Sequence, residues 1–276
     1  MQTPNGLKPT QSWHCVGISP EGDIFVGGMN HLDNAALYRI EPSKGTLRYV
    51  GDARAATKNE NNLQAGDMIE KFHTRPPWHN SSMYVSNMNR SYSNGEYLGK
   101  RGFHWFAYDI NKDPFLDLSA KEPGGAAVDH VGIVSLTSDL RGEAIYGGQE
   151  PHGKLYKFYL TQNKTTDLGR PIGLTQKYVY TLRVMWVDSR NRLYWGMGKA
   201  WYFDDNTSVT DHMHVYDPRT GWSERKDWKF ASPIVSGKYD AMEVGQWIHL
   251  HSKRGNHRRF GSHLSHCRKV TDFFCN

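Results

Sequence analysis

Four stretches decide how this chain folds: Asp23–Met29 (DIFVGGM), Ser82–Met88 (SMYVSNM), Glu143–Gly148 (EAIYGG) and Arg192–Gly198 (RLYWGMG). Each is a short run rich in aromatic and β-branched residues, and each follows a polar turn. The turns are Pro20-Glu21-Gly22, Asn80-Ser81, Leu140-Arg141-Gly142 and Ser189-Arg190-Asn191. A further strand comes after each run, at Ala36–Glu41, Phe103–Ile110, Lys154–Leu160 and His212–Asp217. A polar turn and a short fourth strand close the unit, as at Thr46–Val50 and Thr165–Leu168. A unit of four short antiparallel strands that recurs in order predicts an all-β chain of β-propeller blades. Four blades fit, with a fifth begun near Lys238. A β-sandwich would not explain why the same unit returns. Helical periodicity is confined to one weak candidate, Leu63–Phe72.

Composition agrees. In 276 residues, 13% aromatic content and 27 glycines suit many half-buried strands joined by turns, whereas a disordered chain lacks aromatics. No apolar run approaches the ~20 residues of a membrane span. Met1–Gln11 lacks the apolar core of a signal peptide. The net charge of +6 comes mostly from residues 248–276, which hold six Lys/Arg and one acid. The body is near neutral, so nucleic acid is not the expected partner. Cys15, Cys267 and Cys275 give no disulfide framework. Sequons at Asn80, Asn163 and Asn206 are short enough to arise by chance.

The first strands add a second regularity. They open with His14, His73, His130, Tyr180 and Tyr239, at spacings of 59, 57, 50 and 59 residues. In a propeller the first strand lines the central channel, so these side chains are expected to ring one mouth of it. The loop between second and third strands leaves at the same end. It carries Asn30-His31, Asn89-Arg90, Pro151-His152 and Lys199 in successive units.

A rim of His, Tyr and a few cations suits proton abstraction beside a carboxylate. The C5 proton of a uronate is weakly acidic, a cation or His neutralises the carboxylate, and a His or tyrosinate takes the proton. A glycoside hydrolase would want paired carboxylates, and the ring positions carry none. Neither an HExxH motif nor a Gly-rich phosphate loop is present.

Lys71-Phe72-His73-Thr74-Arg75, Asp129-His130-Val131-Gly132-Ile133-Val134-Ser135-Leu136, Ile145-Tyr146-Gly147-Gly148 and Pro151-His152-Gly153 resemble the propeller-type ulvan lyases over roughly residues 12–247. Members of that family are secreted, seven-bladed enzymes that cut a sulfated, uronate-containing algal polysaccharide. The resemblance implies that His130 and His152 are the catalytic histidines, that Tyr180 is the acid or base, and that Tyr239 helps. It implies a substrate-binding role for His73. The family's carboxylate-neutralising Arg sits at the second-strand end of the Tyr180 blade, where this chain reads Gly196-Met197-Gly198-Lys199. Lys199 is therefore the nearest cation there, and Arg183 is the other candidate. Some propeller lyases bind a divalent metal such as calcium, zinc or manganese. No ligand set in this sequence commits to one, and His212 and His214 read as ordinary blade residues. The expected partner is an acidic polysaccharide, with no nucleic acid or membrane, and the chain is expected to be a secreted monomer.

The domain reading is an extension over 1–11, a partial propeller over 12–247, and a basic, His-rich tail without blade geometry over 248–276. Four blades and a fragment leave a seven-bladed ring open, so an inactive, truncated lyase is one alternative. A non-catalytic glycan- or protein-binding propeller is another, and a different lyase on the same scaffold is a third.

Overall fold

In each repeat the second strand pairs with a strand on either side, and this pairing builds the molecule. The computed structural model describes residues 9–12, 15–29, 34–88, 92–93, 96–97, 101–127, 132–150, 152–174, 179–199, 212–229, 248–251 and 257–260. The chain divides into two compact units. One holds residues 1–149 and 155–168, and the other residues 150–154 and 169–276.

The first unit contains three antiparallel blade sheets and a small hairpin. Blade one is β1 (Val16–Ile18), β2 (Ile24–Met29), β3 (Ala35–Glu41) and β4 (Thr46–Asp52), paired in that order. Blade two is β5 (Lys71–Phe72) and β6 (Trp78–His79), both paired to β7 (Ser82–Met88). Between β7 and its next blade strand lies a small hairpin of β8 (Tyr92–Ser93) and β9 (Glu96–Tyr97). Then come β10 (Trp105–Asp109) and β11 (Phe115–Asp117). Blade three is β12 (Gly132–Ser138), β13 (Ala144–Glu150), β14 (Leu155–Tyr159) and β15 (Lys164–Asp167).

The second unit carries blade four: β16 (Val179–Val187), β17 (Leu193–Lys199), β18 (His212–Asp217) and β19 (Gly221–Lys229). It also carries an antiparallel hairpin, β20 (Ile248–His251) with β21 (His257–Phe260). The tail thus does form strands, as a two-stranded sheet.

The core of the first unit is two layers of side chains sandwiched between successive blades. Successive residues of a strand point to opposite faces, and β7 and β10 divide their side chains accordingly. Met83 and Val85, with Phe106 and Tyr108, join Phe25, Leu37, Phe72 and Phe115 on the side of blade one. Tyr84 and Trp105 join Phe103, Ile133, Ile145, Tyr156 and Phe158 on the side of blade three. Aromatic rings dominate both layers and mostly meet tilted or edge to face, as Phe103 on Trp105 at 4.9 Å and Phe72 on Phe115 at 5.9 Å, while Phe106 stacks on Phe115.

Turn chemistry repeats with the strands. The turn after the first strand is held by Ser19 in blade one, whose hydroxyl accepts from the Asp23 N–H. Asp139 accepts from the Glu143 and Ala144 N–H groups, and Asp188 from those of Arg190 and Arg192. Gly142 shows why one such turn needs glycine. Its φ is +66°, and a Cβ there would overlap the ring of His79.

The weak helical candidate Leu63–Phe72 does not form a helix. Gly66 takes φ +88°, and the Asp67 carboxylate accepts from the Gln64 N–H, which makes a turn. The helix is α1 (Ala53–Asn59), directly after blade one, and its N-cap Asp52 accepts from the Ala55 N–H at 2.7 Å.

Candidate functional site

Pairing registers locate the end of each blade where the sequence put its functional residues. Gln11 faces Met29 in blade one, Lys71 faces Met88 in blade two, and Tyr180 faces Gly198 in blade four. Met29 and Met88 close the second strand of their repeat, whereas Gly198 is followed by one more paired residue, Lys199. His73 lies two residues beyond Lys71, and Arg183 three beyond Tyr180.

The same registers reveal a feature the sequence did not announce. From Gln11↔Met29 to Val16↔Val26 the first strand advances five residues while its partner advances three. From Phe72↔Asn87 to Trp78↔Met83 the steps are six against four. From Thr181↔Met197 to Met185↔Trp195 they are four against two. Three inner strands thus carry an interruption with two extra residues at an equivalent place. Such irregularities re-aim side chains and concentrate near active sites. His73, Thr74 and Arg75 lie in the interruption of blade two, and Leu182, Arg183 and Val184 in that of blade four.

In blade two the interruption is braced from beneath. His73 is 4% exposed, and its Nδ1 lies 3.3 Å from Met88 Sδ. The Ser86 N–H donates to Thr74 Oγ1 at 3.4 Å, and Ser86 Oγ donates to the His104 carbonyl at 2.8 Å. Lys71 is buried and Arg75 half-buried. The structure therefore places His73 within the wall of its blade.

The connection between second and third strands is longest in blade two, and its far foot is clamped. Arg101 is buried and donates to both oxygens of Asp67, to Asn62 Oδ1 and to the carbonyls of Asn62 and Gly124. Burial pushes the Asp67 carboxyl up, but bonds from Arg101 and from the Gln64 N–H outweigh it and hold the carboxyl below its usual range. Asn62 in turn donates to Asp117 at 2.8 Å, and Asp117 pairs with His104 Nδ1 at 2.9 Å.

In the second unit, Tyr180 and Arg183 lie on one strand, Arg183 inside its interruption. Lys199 is the last residue of β17 and pairs with Val179, one step out of register with Tyr180. His152 belongs to this unit and is half-buried in the turn after β13. His214 is fully buried opposite Trp195, as an ordinary blade residue. His14, His31, His130 and Tyr239 lie outside the described residues, and so does the fifth blade expected near Lys238. Among the described residues no three His, Cys, Asp or Glu side chains are grouped to hold a metal ion. Arg75 is the cation that the repeat reading passed over, because the strand-opening count stops at His73.

The sheets define a β-propeller chain, four antiparallel blades in order. No family model matches the sequence, and no curated protein does. Among solved structures it is similar to the Dos1 propeller, with 13% identity and a TM-score of 0.50 over 94% of this chain and 61% of that one. It is also similar to U3-55K, with 10% identity and a TM-score of 0.50 over 82% and 54% of the two chains. At such identities the likeness concerns fold alone. The chain spans less than two thirds of the length of either. No helix among the described residues is long and apolar enough to cross a membrane.

Proposed function

We propose that the chain is a polysaccharide lyase that cleaves a uronate-containing, ulvan-like polysaccharide by β-elimination. The observation that carries the reading is the fourth blade, where Tyr180 sits at the end of the inner strand, Arg183 in its interruption and Lys199 across from Val179. One blade end thus supplies a proton-transfer phenol and two cations. In the reaction a base removes the C5 proton of the uronate. The electron pair forms the C4–C5 double bond, the C4–O bond breaks, and the departing oxygen takes a proton. A guanidinium at Arg183 matches the two oxygens of a carboxylate, while Lys199 offers a point charge. Tyr180 moves the proton. His130 and His152 complete the acid–base set, Tyr239 assists and His73 supports substrate binding. Chemistry of this kind draws about a hundredfold to ten-thousandfold from each general acid or base. No step is assigned to a metal. A secreted protein acting on an extracellular acidic polymer fits this reading.

The test is incubation of the full chain with ulvan and with other uronate polymers, followed by short-wavelength ultraviolet absorbance of the conjugated product. A rise in absorbance supports elimination. Reducing ends without absorbance would make the protein a hydrolase. Tight binding with neither product would make it a glycan-binding propeller.

A further inference from the structure

Blade two holds two cations to which the elimination chemistry assigns no role, Lys71 and Arg75, on either side of His73. Lys71, His73 and Arg75 fall within five residues, and the last two lie where the inner strand gains its two extra residues. A regular strand would alternate these side chains between two faces. The interruption breaks that alternation at a place held by Ser86 and Thr74 and by the His73–Met88 contact. The three residues lie at the blade end where the long second-to-third connection leaves. That connection returns through the buried Arg101–Asp67 clamp, so its foot is fixed against the same blade. Rigid support of this kind is what a positioned binding group requires.

We propose that the interrupted inner strand of blade two is a subsite for an anionic polysaccharide chain, in which Arg75, aided by Lys71 and His73, holds a carboxylate or sulfate group of the polymer. The ligand chemistry is a planar or tetrahedral oxyanion on a sugar ring. Arg75 is the main contact because it is half-buried and its planar fork matches either oxyanion in bidentate fashion. Lys71, being buried, contributes mainly field, and His73, buried against Met88, braces the strand. The subsite rests on the lyase reading for the identity of the natural polymer and not for its own chemistry.

The experiment is affinity electrophoresis of the full chain in gels containing polygalacturonate, dextran sulfate or neutral dextran, for the wild type, Arg75→Gln and Arg75→Lys. Ultraviolet product formation is followed in parallel. Retardation by the charged polymers, weakened at least about tenfold in Arg75→Gln, partly restored in Arg75→Lys and lost with added salt, is the expected result. Polygalacturonate acting alone identifies a carboxylate subsite, and dextran sulfate acting alone a sulfate subsite. Equal retardation of wild type and Arg75→Gln, with both showing the same thermal midpoint, overturns the subsite and leaves the lyase reading untouched. Loss of retardation in Arg75→Gln with no ultraviolet product from the wild type keeps the subsite and removes the lyase. If Arg75→Gln melts early, the Arg75→Lys variant decides. Retardation weaker than wild type in a folded Arg75→Lys protein upholds the subsite, retardation equal to wild type overturns it, and so does failure of the wild type itself to be retarded.

Discussion

Arg101 donates from Nε to one oxygen of Asp67 at 2.9 Å and from a terminal nitrogen to the other at 2.5 Å, with both side chains out of water. Removing one partner of such a pair strands the other charge in a poor solvent, at a cost of about 3–5 kcal/mol. Asp67→Asn is therefore expected to lower unfolding stability by that order near neutral pH. The carboxyl titrates below its usual range when folded. Its contribution is thus present above the unfolded-state value and disappears as pH falls through the folded-state value. Urea denaturation between about pH 7 and about pH 2 should show a flatter acid limb in Asp67→Asn than in the wild type. Parallel curves would refute the assignment.

Gly142 and His79 make a compensating pair. Gly142→Ala places a methyl in the His79 ring at a backbone angle that costs an L-residue roughly 1–2 kcal/mol by itself. The single change should destabilise by more than this. His79→Ala in the same chain should restore all but the backbone part. A double-mutant cycle by thermal melting reads the coupling, and simple additivity would show that the ring yields freely.

Trp105 fills the layer between blades two and three, fully buried, with its indole N–H donating to Thr165 Oγ1 at 2.8 Å. Trp105→Ala should cost about 3–5 kcal/mol. Thr165→Val should cost roughly 1–3 kcal/mol, since it leaves the indole N–H unsatisfied. Calorimetric or urea unfolding separates the two effects. Equal losses would mean that the hydrogen bond, and not the ring, holds the layer.

On the lyase reading, proton transfer falls to Tyr180 and His130, and carboxylate binding to Arg183 and Lys199. Tyr180→Phe and His130→Ala should each lower turnover by at least about a hundredfold with the melting temperature unchanged. Arg183→Lys should hurt acid substrate more than methyl-esterified substrate, because the fork-to-carboxylate match is lost. Lys199→Ala should show the same preference more weakly. Rates on acid and esterified polymer, compared by ultraviolet product formation, test the division. An Arg183→Lys enzyme that loses both substrates equally would place Arg183 in the scaffold.

The second strands were legible because a central blade strand needs apolar residues on both faces, and DIFVGGM, SMYVSNM and RLYWGMG meet that need in plain sequence. The third strands followed from the same cause, to within a residue or two. The helix was missed because Asp52 before Ala53 is a short cap signal beside an apolar run that looked more periodic than it is. Counting alone does not register the first strands: Met29 and Met88 are 59 residues apart, but their partners Gln11 and Lys71 are 60 apart. An interruption is a property of pairing, and no single strand carries a signal for it. His73 was expected on the rim, and it is buried beside Met88, a contact that no spacing rule supplies.

The excess in the inner strands is two residues, an even number. A single extra residue would send every later side chain of the strand to the wrong face. Two restore the phase, so Val16, Trp78 and Met185 resume their pairings as if nothing had intervened. The interruption is consequently a silent cassette. His73-Thr74-Arg75 and Leu182-Arg183-Val184 differ from one repeat to the other while the ladders beyond them keep step. A lineage that duplicates blades can thereby rewrite one end of each copy at no cost to its packing, and new chemistry can be tried on an unchanged frame.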